Sequence, residues 1–130
     1  MRTRAAGADE FHLVLSSSRG AGIRAREAVR QRFRSLAEAT RRDLGAVVAE
    51  LVDNSVEHGP GKPITVTVVL GRDSIRGEVA DQGNPAVAIP QIRQRTESSG
   101  GGLALVDELT SAWAVHEGST HVWFELPLDQ

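Results

Sequence analysis

From Ile64 to Asp81 the chain alternates, turns, and alternates back. Ile64-Thr65-Val66-Thr67-Val68-Val69-Leu70 is rich in β-branched residues, and every second side chain falls on one face, as a half-buried strand requires. Gly71-Arg72-Asp73-Ser74 is turn chemistry, and Ile75 to Asp81 returns. Strands joined this tightly pair antiparallel. The same pattern recurs near the end, with Ala112–His116 and Thr120–Leu126 flanking Glu117-Gly118-Ser119. A chain built on such hairpins lacks the regular strand–helix–strand alternation of a Rossmann arrangement.

Two helices precede the first hairpin. Phe11–Leu15 reads as a short strand, and Ser16-Ser17-Ser18 as a break and helix cap. A helix is expected over 20–39, with Ile23, Val29, Phe33, Leu36 and Ala37 as its apolar stripe. Arg26 falls near the middle of that stripe, either snorkelling or reaching for a partner. A second helix is expected over 41–58. Leu44, Val47, Val48, Leu51 and Ser55 share its buried face, Glu50, Asp53, Asn54 and Glu57 lie on the other side, and Gly59-Pro60-Gly61-Lys62-Pro63 stops it. Residues 86–99 are less regular, and a short helix follows over 102–110. The order is βααββ(α)αββ. It predicts an α/β two-layer (α+β) sandwich with a mainly antiparallel mixed sheet and helices on one face. Residues 1–9 are expected to be a flexible end and 10–130 a single domain.

Three short segments carry chemistry. Glu50 and Asn54 are four apart on one helix, hence neighbours. An Asn carbonyl suits magnesium, which takes few protein ligands, and a Glu one turn earlier can deprotonate a hydroxyl near a terminal phosphate. A polar helix face is the plainer explanation of the pair. Asp81 ends a strand whose Ile75, Gly77 and Val79 share its face. A carboxylate there needs a partner, such as the exocyclic amine of a base, unless it only caps a turn. Gly83 would let backbone approach the base. Gly100-Gly101-Gly102 precedes a helix, where backbone amides and the helix dipole favour phosphate, although the run also suits a plain hinge and lacks the Gly-Lys-Ser/Thr ending of a Walker loop.

In this order the segments resemble the GHKL ATPase superfamily with its Bergerat ATP-binding fold, and within it the bacterial anti-sigma-factor serine/threonine-kinase branch. Glu50, Asn54, His58 and Gly59 match the N box. Asp81 and Gly83 match the Asp-x-Gly element. Gly100, Gly102, Leu103 and the following Leu105-Val106 match the glycine-rich element. The resemblance covers about residues 20–126. It implies that Asn54 coordinates Mg²⁺, Glu50 is the general base, Asp81 bonds the adenine amine, Gly83 lines the adenine pocket, and Gly100 to Leu103 cover the phosphates of ATP. It further implies a sigma factor and an anti-anti-sigma antagonist as partners, and a homodimer. Pro85 stands where many relatives have a second glycine, and the segment from Pro85 to Gly100 is short. An ATP-loaded anti-sigma module with little turnover is the competing expectation.

Composition narrows the field further. The 130 residues include no cysteine, so disulfides and thiolate metal sites are excluded and the cytoplasm is the expected compartment. No apolar run has the roughly 18–20 residues of a membrane helix, and no signal-peptide core follows the basic Met1–Gly7. The four histidines, at 12, 58, 116 and 121, have no metal-ligand spacing on a helix. Residues 1–42 hold ten arginines against four acids, whereas the rest holds five basic residues against thirteen acids. That basic first third is a solvated face, a nucleic-acid contact or a protein-docking surface. Aromatics are only 4%, which disfavours a stacking platform for nucleic acid, so no direct nucleic-acid contact is expected. The docking reading assigns Arg26 and Arg30 to an acidic partner. No separate dimerisation helix carries a phosphoacceptor His, against the ATP-binding half of a histidine kinase.

Overall fold

The computed structural model describes residues 9–81, 90–92, 101–116 and 121–128. Their elements run β1 (Glu10–Leu15), α1 (Ala21–Arg32), α2 (Glu38–His58), β2 (Ile64–Leu70), β3 (Ser74–Ala80), β4 (Pro90–Ile92), α3 (Gly101–Leu109), β5 (Ala112–His116) and β6 (Val122–Pro127). The six strands form one sheet in the order β1-β2-β3-β6-β5-β4. Every described pairing is antiparallel, so the expected mainly antiparallel sheet is found with no parallel pair among the described residues.

Strand alternation decides which face is covered. Ile64, Val66 and Val68 of β2, Ile75 and Val79 of β3, and Val122, Phe124 and Leu126 of β6 are buried in one cluster with Val29, Leu44, Val48 and Leu51 of the helices. The intervening residues face outward, and there the Arg76 guanidinium stacks 4.9 Å from the Trp123 ring centroid while His121 pairs with Glu78. The result is a two-layer sandwich with helices on one face.

Four expectations need correction. The first helix stops at Arg32, with Phe33 at its C-cap, and α2 already begins at Glu38. Its buried stripe is Ala21, Ala25, Val29 and Phe33, while Ile23 is 65% exposed and Arg26 is exposed. Small residues win that face because they let α1 lie close to its neighbours, a preference that size-based stripes miss. The serines do not cap the helix. Gly20 does, at φ 89, with its carbonyl accepting from the Arg24 amide at 3.1 Å, and the Ser18 hydroxyl accepts from the Arg24 guanidinium instead. Finally, a short strand, β4, lies within the irregular stretch 86–99 and pairs with β5. Its three residues begin with Pro90, which donates no hydrogen bond and is tolerated at a strand start on a sheet edge. The expected frayed N-terminus lies, but for Asp9, outside the described residues.

Candidate nucleotide site and docking cleft

Helix α2 is the backbone of the site. Glu38 sits in its first turn, favourable for the dipole, and at the far end the Gly59 amide donates to the Ser55 carbonyl at 2.8 Å before Pro60 ends the helix. The chain then runs through 59–63 into Ile64. In the β2–β3 register Thr65 stands opposite Ala80. The C-terminal half of α2 and the end of β3 therefore meet at one end of the sheet. Asp81 follows β3 directly and keeps the parity of the buried Ile75, Gly77 and Val79. It is half-buried and holds an interaction of its own.

Glu50 and Asn54 are both half-buried on α2. Among the described residues neither side chain has a hydrogen-bond or ion-pair partner. Asp53, expected beside them, is diverted. Its carboxylate lies against Gly22, where a Cβ would stand only 2.2 Å from Oδ1. α1 has no acid in its own first turn, and Asp53 supplies one across the helix pair. The acidic face of α2 is thus divided between Asp53 at a helix terminus and the half-buried Glu50/Asn54 pair.

The glycine-rich element opens α3. Gly101 and Gly102 are its first residues rather than a lead-in, a one-residue difference at a helix end. Leu103 packs partly buried on the core, Val106 is fully buried, and α3 lies against α2. Gly83 and Gly100 lie outside the described residues.

Arg26 and Arg30 are elsewhere. Their aliphatic stems cross α2 at Gly45, where a Cβ would stand 3.2 Å from Arg26 Cγ and Arg30 Cδ. With Glu27, Gln31 and Arg41 they line an open cleft of about 190 Å³. Arg30 and Arg41 both donate to Glu38, at 3.0 and 2.8 Å, and Arg41 Nε donates to the Arg30 carbonyl at 2.9 Å. The Arg30 hydrogen bond chiefly holds the Glu38 carboxyl below its ordinary value, with the charge of Arg30 and the contacts of Arg41 adding to it against desolvation. Gly45 is nine residues before Asn54, so cleft and site are roughly 13 Å apart along α2 at a helical rise of about 1.5 Å per residue.

A family model described as "Histidine kinase-like ATPase domain" matches residues 18–126. No curated protein matches. Among solved structures, the RsbU and RsbW domains of a Mycobacterium tuberculosis protein superpose with a TM-score of 0.65 at 22% identity, over 92% of this chain and 32% of that one. That likeness is one of fold, and the chain spans about a third of the length of the structure it matches. Among the described residues, no helix is long and apolar enough to cross a membrane.

Proposed function

The chain belongs to the histidine kinase-like ATPase family, and on that premise we propose that it is an anti-sigma protein that binds ATP and phosphorylates a serine on an anti-anti-sigma antagonist. One observation carries this. The Glu50/Asn54 turn of α2 and the end of β3 at Asp81 lie toward one end of the helix–sheet layer, and α3, which opens on Gly101 and Gly102, packs against α2.

Each residue then has a task. Asp81 accepts the adenine amine. The backbone at Gly83 borders the base, and Gly100, Gly101, Gly102 and Leu103 cover the phosphates. Asn54 offers an oxygen that suits Mg²⁺, which neutralises phosphate charge when bound with the nucleotide. Glu50 holds and deprotonates the attacking serine hydroxyl. Asp81→Asn presents an amide to the amine, so ATP should weaken by more than about 1 kcal/mol, the scale of a hydrogen bond to a charged group. Calorimetry with ATP and GTP decides this, and equal affinities or an unaffected variant would remove the adenine assignment. Retained binding without any transfer to antagonist proteins encoded nearby would favour the second reading, a nucleotide-loaded anti-sigma module.

The partners are assigned to the arginine cleft. Arg30 is tied to Glu38, whereas Arg26 has no ion pair among the described residues and stands beside the exposed Ile23. A sigma factor or antagonist with an acidic face complements that surface, and charge would mainly set the association rate. Arg30→Gln should slow association and flatten its salt dependence. Arg26→Ala should do more, since it removes an uncompensated charge. Surface plasmon resonance at two salt concentrations tests both, and association indifferent to salt and to both variants would place docking elsewhere. The homodimer is part of the same proposal, and its measurement is mass in solution.

A further inference from the structure

One side chain of α3 works against its own helix. Asp107 sits in the last turn of Gly101–Leu109, where the helix dipole disfavours a carboxylate, and no basic residue stands in that turn to offset it. Its reason lies across the interface. Trp113 of β5 is 3% exposed, and its indole Nε1–H donates to Asp107 Oδ1 at 2.9 Å. A buried indole N–H needs an acceptor, and a carboxylate makes a stronger one than a neutral group. Asp107 is half-buried and holds a further interaction besides.

The bond matters because α3 cannot hold itself. It has nine residues, fewer than the roughly 12–15 that an isolated helix needs, and two glycines open it. Its placement therefore comes from what it touches. Leu103 and Val106 pack on the core, but apolar contacts are non-directional. Just past its end, the Ser111 amide and hydroxyl both donate to the Glu125 carbonyl of β6, at 2.9 and 3.1 Å, and fix where the helix stops. The Trp113–Asp107 bond grips the helix itself and sets its rotation about the axis. At a backbone radius of about 2.3 Å, a turn of about 20° moves a main-chain atom by roughly 0.8 Å. A misplacement on that scale spoils a hydrogen bond.

We propose that Trp113 and Asp107 are positioning residues for the phosphates of the nucleotide. Their hydrogen bond fixes the rotation of α3, and with it the direction in which the amides of Gly101 and Gly102 point. Those amides are among the four that a helix start leaves without partners inside the helix. This rests on the nucleotide reading above. Neither side chain is assigned a contact with the nucleotide, and both act through the backbone of α3. Trp113 stands opposite Phe124 in the β5–β6 register, so the sheet is the reference against which the helix is set. Linkage makes the effect reciprocal. If the closed bond favours ATP by some factor, bound ATP favours the closed bond by the same factor.

The test joins calorimetry on variants with indole hydrogen exchange in wild type. Asp107→Leu and Trp113→Phe should each weaken ATP about tenfold, the scale of one hydrogen bond to a charged group, read well below each variant's melting temperature so that only folded protein is compared. The double variant should bind no more weakly than the worse single one, because the same bond is lost once. Asp107→Asn keeps a carbonyl acceptor and should stay within about threefold of wild type. In isotope-labelled wild type, saturating ATP should slow exchange of the Trp113 indole N–H about tenfold, matching the variants' loss, with Trp123→Phe assigning the resonance. Wild-type ATP affinity in folded Asp107→Leu, additive losses in the double variant, Asp107→Asn as weak as Asp107→Leu, or indole exchange indifferent to ATP would each overturn the assignment. A bond that only stabilises the fold gives the first of these with a lowered melting temperature. Wild type that binds no ATP would instead overturn the nucleotide reading, and this assignment with it. The exchange measurement needs no substitution at either residue, so a poorly folding variant cannot shield the proposal.

Discussion

Glu50→Ala should hold ATP nearly as well as wild type and yet lose phosphoryl transfer by about 10²–10⁴-fold, the usual contribution of a positioned general base. The reasoning is differential. Glu50 is assigned to the attacking hydroxyl and not to the nucleotide, so its removal touches the transition state more than the ground state. Asn54 is one turn away on the same helix, and both side chains are half-buried without partners among the described residues. Asn54→Ala should nonetheless behave differently, losing nucleotide affinity and transfer together, because it removes the oxygen assigned to the metal. Binding by calorimetry and single-turnover transfer to a cognate antagonist separate the two variants. If Glu50→Ala transfers at the wild-type rate, Glu50 is a solvated helix residue and the base lies elsewhere. Asp53, between them in sequence, is the internal control. Its carboxylate lies on Gly22 at the start of α1, and Asp53→Asn should leave transfer largely intact.

The parts of this arrangement that were legible in the sequence are those set by period. Spacing of four places Glu50 and Asn54 on adjacent turns of any helix, and spacing of two gives Asp81 the parity of Val79, wherever the rest of the chain goes. The hairpin β2–β3 was legible for the same reason, since β-branched alternation and a glycine turn are local. What depends on neighbours was not. The stripe of α1 adds Ala21 and Ala25 to the expected Val29, and the size of an alanine says little until α2 is beside it. The diversion of Asp53 to Gly22 needs two helices. The strand β4 is three residues long and exists because β5 offers it an edge.

Gly77→Ala should be destabilising by about 2–3 kcal/mol, at the upper end of what one inserted methyl costs in a packed core. Local propensity predicts the opposite sign. Glycine in a strand interior is worse than alanine by roughly 0.5–1 kcal/mol, so the substitution ought to help. Packing overrides it. Gly77 stands opposite Phe124 in the β3–β6 register, and the Phe124 ring lies across the bare backbone. A Cβ at Gly77 would stand 2.1 Å from Phe124 Cζ and 2.4 Å from Cε2. Phe124 is fully buried beneath the helices, so the ring has no free volume to retreat into. Either it leaves its rotamer or β3 and β6 separate. Gly22→Ala sets the scale. There the added methyl also overlaps a neighbour, but that neighbour is the exposed carboxylate of Asp53, which can swing away. Gly22→Ala should therefore cost well under about 1 kcal/mol, as for a flexible surface contact. Chemical denaturation of both variants makes the comparison, with the slope on denaturant checked for unchanged cooperativity. Equal losses at the two positions would mean that the Phe124 ring is mobile. β3 would then be held by its hydrogen bonds to β2 rather than by the stack beneath the helices. Because β3 runs directly into Asp81, a loss confined to Gly77→Ala should also weaken ATP, and restoring space with Phe124→Leu should recover part of both.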